Sequence, residues 1–494
     1  LIPQNSYFCG SKTIKVDISI KAYISDKIFK IISSEADALG CKVYLVGGYV
    51  RDMLLGRPSK DIDIMAVGSG VELASRVSEH LGKGTEVEIH GNYGTAALKY
   101  QNFLIEFVGA RKESYKPESR NPKVEAGTLE DDLFRRDFTI NAIAISLNKN
   151  DYGTIVDLFK GQKDLEKGIL KTPLDPDTTY SDDPLRMMRA IRFASQLNFT
   201  IEDESLQAIS RNKDRIKIVS KERIADELNK IVLSDRPSKG FKLLFNTGLL
   251  EIIFPEMYAL HGAEYIDGKG HKDNFYHTLQ VLDNLSEHTP DLWLRWSAIM
   301  HDIAKPLTKK FEPGHGWTFH GHEDLGARLT PKIFKRLALP LNDRMKYVQK
   351  LVKLHLRPIA LVKETITDSA IRRLIFEAGE DLEDLLMLCQ ADITSKNEEK
   401  VARYLQNYEL VKQKIAEVEK KDNIRNFQPP VSGEEIMEAF GLAPCFEVGV
   451  IKSAIKDAIL DGVIPNERKR AYNFMLKKGR ELGLKRVVKK SVTG

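Results

Sequence analysis

The chain has 494 residues, enough for about three folded units at ~150 residues each. Hydrophobic residues make up 42% and charged residues 29%, an ordinary globular balance that excludes disordered, collagen-like and low-complexity classes. The 75 lysines and arginines exceed the 70 aspartates and glutamates by only +5, too little to single out a partner. No apolar run approaches the ~20 residues of a membrane span, and the first residues carry no secretory pattern. Cys9, Cys41, Cys389 and Cys445 form no CxxC pair. A reduced, cytoplasmic, multidomain protein with no membrane partner is expected.

Short β-rich runs alternate with helical ones up to about residue 160. Val43-Tyr44-Leu45-Val46 reads as a buried strand ending in Gly47-Gly48, and Val50 to Leu55 as the start of a helix. Asp61-Ile62-Asp63-Ile64-Met65 alternates as a strand, Val71 to Leu81 has helical spacing, and Glu86 to His90 and Thr95 to Val108 return to strand patterns. Such a region must cover a sheet with helices, as one α/β domain. Residues 109–130 are polar, rich in Pro and Gly and without periodicity, and read as a functional loop. Beyond about 165 nearly everything reads as helix, including Pro184 to Gln196, Ile201 to Arg211 and Lys221 to Leu233. Breaks at Pro237, Pro255 and 261–271 place boundaries near 236 and 270. The stretch 466–494 holds ten Lys/Arg against two Glu, a basic tail hidden by the modest net charge.

The alternating strand puts the carboxylates of Asp61 and Asp63 on one face, with Ile62 and Ile64 on the other. Paired hard oxygen ligands suit Mg²⁺ shared with substrate phosphates. Gly47 and Gly48, at a strand-to-helix turn, let backbone N–H groups approach a triphosphate, and Arg51 adds a charged donor. LVGGYVRDMLLGRPSKDIDI closely resembles the class II tRNA CCA-adding enzymes and bacterial poly(A) polymerases of the polymerase-beta superfamily. The resemblance continues through GARKESY, DDLFRRDFTINAIA (131–144), DLFKGQKDL (157–165), DDPLRMMRAIRF (182–193) and ERIADELNKI (222–231). It implies a polymerase-beta-like α/β head followed by an all-α neck, body and tail.

In RRDFT, Arg135 and Arg136 are candidates for phosphate and Asp137 for a ribose hydroxyl; an Arg–Asp structural bridge is the competing reading. The resemblance assigns Arg136 to nucleotide contact. Glu106 is a weaker candidate for a third carboxylate. Asp183, Arg186, Arg189 and Arg192 recur in steps of three, which gives them a broadly shared helix face. Cytosine and adenine both offer an exocyclic amine where uracil and guanine offer a carbonyl. A carboxylate at Asp183 and a guanidinium at Arg186 would accept C or A and leave U or G unpaired. The family uses its matching EDxxR residues as such a protein template; here Asp182 stands in the first position, where Glu is commoner. Arg189 and Arg192 are then expected to contact phosphate or ribose.

Seven of the eleven histidines fall between 271 and 322. Imidazoles mixed with carboxylates suit a divalent transition metal. The ordered set resembles the HD-domain phosphohydrolases: His277, His301, Asp302 and Asp392 match the core pattern, and His322 and His355 an extended one. His320 competes with His322, and Lys305 would offer a cation to phosphate. Phosphatase, 2′-nucleotidase or cyclic phosphodiesterase activity is what related fusions imply.

Nucleic-acid affinity rests mainly on phosphate neutralisation. Lys221, Arg223 and the tail cations Arg468, Lys469, Arg470, Lys477, Lys478, Arg480, Lys485 and Arg486 are candidates. The expected organisation is a nucleotidyltransferase head (1–165), a helical neck with the nucleotide template (166–236), a body segment (237–270), an HD domain (271–400) and a basic tail (401–494). The expected activity is CCA addition to tRNA from CTP and ATP by two-metal transfer. Alternatives are a poly(A) polymerase, an enzyme adding only CC or A, an HD phosphohydrolase with a vestigial head, and a protein uridylyltransferase.

Overall fold

The computed structural model describes residues 20–487, apart from 83–84, 91–93, 117–118, 267–268, 364–366, 395–396, 423–424 and 426–427. Cys9 and the last basic residues of the tail lie outside the described residues. The chain divides into two compact units, Leu1–Phe254 and Pro255–Gly494. The division falls inside the expected 237–270 segment, and the expected boundary near 236 lies within the first unit.

The first unit is built on a seven-stranded sheet. Its strands are β1 (Val43–Val46), β2 (Asp61–Ala66), β3 (Val87–His90), β4 (Thr95–Tyr100), β5 (Phe103–Gly109), then, after a separate hairpin of β6 (Arg111–Lys116) and β7 (Ser119–Ala126), β8 (Ala144–Ser146) and β9 (Ile155–Val156). The order is β3-β4-β5-β2-β1-β8-β9. Within it β2 and β5 run parallel, and their register sets Asp61 beside Leu104 and Asp63 beside Glu106. The alternation is visible in burial: Ile62, Ile64, Ile105 and Phe107 are fully buried on one face. That face is covered by the helix Gly70–Leu81, which buries Leu73, Ala74 and Val77 and packs on β2, β4 and β5. A second helix, Lys27–Leu39, packs against it. Both helices start on polar side chains that accept from orphan amides, Asp26 from the Ile28 N–H and Ser69 from the Glu72 N–H.

The run Thr95 to Val108 is strand as expected, divided in two where the chain reverses at Gln101, whose φ is 51°. One reading of the sequence is corrected here. Residues 109–130 are not a loop: β6 and β7 pair antiparallel, and the short helix Leu129–Phe134 follows. Its charged and polar sequence leaves no hydrophobic period to detect, and its register sets Lys112 opposite Glu125.

After the sheet the first unit is mostly helical. The helix Leu185–Gln196 buries Leu185, Met188 and Ile191 and packs on Lys221–Val232 and Pro237–Asn246. The second unit holds the helices Asn274–Ser286, Leu292–Met300, His322–Arg336, Asp343–Leu354 and Leu382–Asp392, then the long Glu398–Asp422. Its last helices, Gly433–Phe440, Phe446–Leu460 and Arg468–Glu481, enclose Ile436, Phe440, Ile451, Ile455, Ala471 and Met475. Short strand pairs interrupt the expected all-helical region, among them Tyr265–Ile266 with Lys269–Gly270 and Lys310–Glu312 with Gly316–Thr318. No described helix is long and apolar enough to cross a membrane.

Gly161 opens the helix Gly161–Lys167 against the turn Thr139–Asn141, and a Cβ there would lie 2.3 Å from the Thr139 carbonyl oxygen. Backbone cannot swing aside as a side chain can. Gly161→Ala should cost about 1–3 kcal/mol and lower the melting temperature by roughly 3–10 °C in a thermal scan; an unchanged melting temperature would contradict this packing.

Candidate functional site

β1 ends at Val46, and the chain turns at Gly47 with φ of 75° into the helix Gly47–Leu54. Only glycine fits: a Cβ at Gly47 would fall 2.4 Å from Oδ2 of Asp63. The Gly48 N–H donates to the Asp63 carboxylate. Asp61, Asp63 and Glu106 share the open face of the β2–β5 pair, in line with Asp61 and Glu106 being exposed and Asp63 half-buried. Burial pushes the Asp63 carboxyl above its ordinary value, and the charges of Glu106 and Asp61 add to this against the opposing Arg136 and the Gly48 N–H. Such a group gains from a nearby cation, so this donor set fits a divalent metal ion.

Asp63 also lines a cavity of about 340 Å³, together with Gly47, Gly48, Arg51, Arg136, Asp137, Asn141, Arg189, Arg192, Phe193 and Gln196. Its arginines are held by buried partners. Asp132, fully buried, binds both guanidiniums of the RR pair: Arg135 through Nε and Nη2, and Arg136 through Nε at 3.1 Å and Nη2 at 2.9 Å. Burial would raise the Asp132 carboxyl, but the two guanidiniums outweigh it and hold it below the usual range. Arg135 is turned from the cavity, pairing also with Glu113 of β6 at 3.4 Å.

A polar relay crosses the cavity floor. Arg51 donates to Oδ1 of Asn141 at 2.9 Å, Asn141 donates to Asp137 at 2.9 Å, and Arg189 donates to Oδ2 of Asp137 at 2.7 Å. Both Asp137 oxygens are therefore engaged, which makes it an anchor for Arg189 more than an acceptor for ribose. Burial alone would raise Asp137, yet Arg189 and Asn141 bring it down to about 2. Arg192 pairs with the buried Glu227 at 3.0 Å, and burial pulls its guanidinium down to about 10.

Arg186 sits one turn before Arg189, and Asp183 lies just ahead of the helix Leu185–Gln196; both are outside the lining of this cavity. Oδ1 of Asp183 accepts from the Leu185 N–H at 3.2 Å, and Nη2 of Arg186 donates to the Arg135 carbonyl at 2.5 Å. Asp132, Asn141 and Phe193 are the site residues that sequence reasoning missed; the RRDFTIN run containing Asn141 was the available signal.

In the second unit the structure gathers the expected histidines and aspartates. Asp302 lies at the centre, with Oδ2 3.5 Å from Nε2 of His277 and 3.3 Å from Nε2 of His301, and Oδ1 3.2 Å from Nε2 of His322 and 3.9 Å from Nε2 of His355. Asp392 approaches His277 at 3.0 Å and His301 at 3.7 Å. His320 is exposed and outside the cluster.

The far ring nitrogens are already taken. Nδ1 of His301 donates to the Ala298 carbonyl, of His322 to Phe319 and of His355 to Val352, at 2.6, 2.8 and 2.6 Å, and Nδ1 of His277 meets the Thr394 hydroxyl at 2.9 Å. A carbonyl only accepts, so Nδ1 of His301, His322 and His355 carries the proton and their Nε2 lone pairs face inward. Nε2 of His301, His322 and His355 are buried with no hydrogen-bond partner, although they lie close to Asp302. Buried polar atoms left in this state fit metal ligands. The geometry makes two triads, His277–His301–Asp302 and Asp302–His322–His355, which share Asp302. Burial would raise Asp302, but His301 and Lys305 hold it well below the usual range, with Lys305 Nζ at 2.6 Å.

Comparison with known proteins agrees with this layout. The family model described as the poly A polymerase head domain matches residues 43–171, the one described as a probable RNA and SrmB-binding site of polymerase A matches 198–260, and the HD domain matches 274–392. The A-adding tRNA nucleotidyltransferase of Deinococcus radiodurans is 32% identical over 426 residues, covering 84% of this chain and 90% of that protein. The multifunctional CCA protein of Haemophilus influenzae is 33% identical over 382 residues, covering 71% and 84%. In fold, the chain is similar to the Thermotoga maritima CCA-adding enzyme solved with tRNA, with a TM-score of 0.60 at 21% identity over 94% of this chain and 98% of that one. By these likenesses the chain belongs to the family of A-adding and CCA-adding tRNA nucleotidyltransferases.

Proposed function

We propose that the protein completes the 3′ end of tRNA by adding C, C and A from CTP and ATP. The observation that carries this reading is the sharing of one sheet face by Asp61, Asp63 and Glu106, with Asp63 lining a cavity that Arg51, Arg136, Arg189 and Arg192 also line. Asp61 and Asp63 would hold Mg²⁺, with Glu106 beside them, and the ion when bound would supply charge neutralisation and activation of the 3′-hydroxyl for in-line attack. The chain's own residues bind and orient. The arginines neutralise the triphosphate, and the Gly47–Gly48 turn leaves the backbone open to it. Oδ1 of Asp183 takes the Leu185 N–H and Oδ2 would take the exocyclic amine of C or A, while Arg186 donates to the neighbouring ring acceptor. In this reading the head (1–165) carries the chemistry and the neck (166–236) reads the base. The body segment (237–270), Lys221, Arg223 and the exposed cations of the tail (401–494) meet tRNA phosphates.

A narrower reading, addition of A alone, is favoured by the name of the Deinococcus radiodurans relative. Transcripts ending at the discriminator base or at CC, offered CTP and ATP separately and then sequenced, separate the two: the proposal expects C, C and A on the shorter transcript. Asp63→Asn and Asp61→Ala should each reduce incorporation by at least ~10³-fold with an unchanged melting curve; retained addition would refute the carboxylate assignment. Asp183→Ala should raise UTP and GTP incorporation relative to ATP by roughly tenfold or more, and unchanged rejection of U and G would rule out the template reading.

For the second unit we propose an HD centre (271–400) that takes two divalent transition metals, with His277, His301 and Asp392 on one side, His322 and His355 on the other, and Asp302 between. Such a centre would supply an activated water for hydrolysis of phosphate esters, and Lys305, which pairs with Asp302, would turn to the phosphate once metal takes that carboxylate. The His301→Ala/Asp302→Ala protein should lose bound metal by elemental analysis, together with phosphoesterase activity, while nucleotide addition persists. Undiminished metal content would exclude these ligands.

A further inference from the structure

Among the described residues, Phe193 is the one aromatic lining the arginine-rich cavity of the first unit. It lies on the helix Leu185–Gln196, one residue after Arg192 and four after Arg189, and is 6% exposed. Its ring is braced edge-on by Phe138, at 5.8 Å between centroids and 85° between planes. Three guanidiniums gather on it: the Cζ atoms of Arg192, Arg51 and Arg189 lie 4.1, 4.9 and 5.4 Å from its centroid. Each of these arginines is also tied at its rim, Arg192 to Glu227, Arg51 to Asp52 and Asn141, and Arg189 to Asp137. The rim carboxylates Asp52, Asp137 and Glu227 balance the three charges and hold each guanidinium by its edge. The ring acts on their planes instead, because its negative quadrupole attracts each cation and planar guanidiniums pack on it.

We propose that Phe193 is a positioning residue for the triphosphate: the electron-rich face of its ring sets the spacing of Arg51, Arg189 and Arg192 before nucleotide arrives. The role rests on reading this cavity as the nucleotide pocket. It assigns to Phe193 an electrostatic task that an aliphatic side chain of similar size cannot perform, distinct from its packing on Phe138.

The test keeps the ring and drains its face. The full-length protein is made with 4-fluoro-, 3,5-difluoro- and 3,4,5-trifluorophenylalanine at position 193, alongside Phe193→Trp, Phe193→Leu and Arg189→Met. kcat and KM for ATP and CTP are then measured on tRNA transcripts. KM should climb stepwise with fluorination, to about three- to tenfold for the trifluoro ring, with kcat within about twofold; Phe193→Trp should stay near the parent and Phe193→Leu should match or exceed the trifluoro ring. A flat KM across the fluorinated series, with Arg189→Met still raising KM, overturns the role of the ring alone. An unchanged KM in Arg189→Met overturns the pocket reading and this proposal with it. The fluorinated rings nearly preserve shape, so the series decides the matter even where Phe193→Leu fails to fold.

Discussion

The parallel pairing of β2 with β5 is the constraint on which the rest of the head depends. It alone sets Asp63 next to Glu106, and the pleat adds Asp61 on the same face while Ile62, Ile64, Ile105 and Phe107 anchor the other. A slip of one residue would turn the acids into the core and the isoleucines into water. The helix Gly70–Leu81 guards against that slip, because its buried side chains fit only the apolar face. The cluster of acids is thus held by a core that has nothing to do with chemistry, and the Gly48 N–H and Arg136 meet the half-buried member of that cluster.

The arginine side of the cavity follows another rule. Buried or half-buried guanidiniums persist only when paired, and each here has its own carboxylate or amide: Asp132, Asp137, Asn141 or Glu227. The anchors are spent on keeping arginines aimed, which leaves the remaining donors directed at the cavity. This explains why Asp137 is so strongly engaged although it sits beside an apparent ligand site.

Much of the head was legible in the sequence because its signals are local. An alternating strand displays its own face, and a Gly-Gly turn announces a close approach. The β6–β7 hairpin was hidden for the opposite reason, since a ladder of charged and polar residues carries no hydrophobic period. Asp132 was hidden because nothing in a run of acids shows which one is buried between two arginines. Phe193 looked like one more apolar residue on a helix, and its meeting with Arg51 depends on chain far removed in sequence. The histidines of the second unit could be collected by order, but their division into two triads around Asp302 required the helices to be in place.

The imidazole-to-carbonyl bonds at Ala298, Phe319 and Val352 share one trait: each reaches back three positions along its own chain. Every such ring is therefore oriented by the local turn that carries it, and owes its proton placement to no distant neighbour. Modular supply of this kind means the rings can be ready singly, ahead of assembly, and the bundle has only to bring finished parts together. It also frees surrounding side chains to diverge, since a main-chain oxygen is present whatever residue stands there.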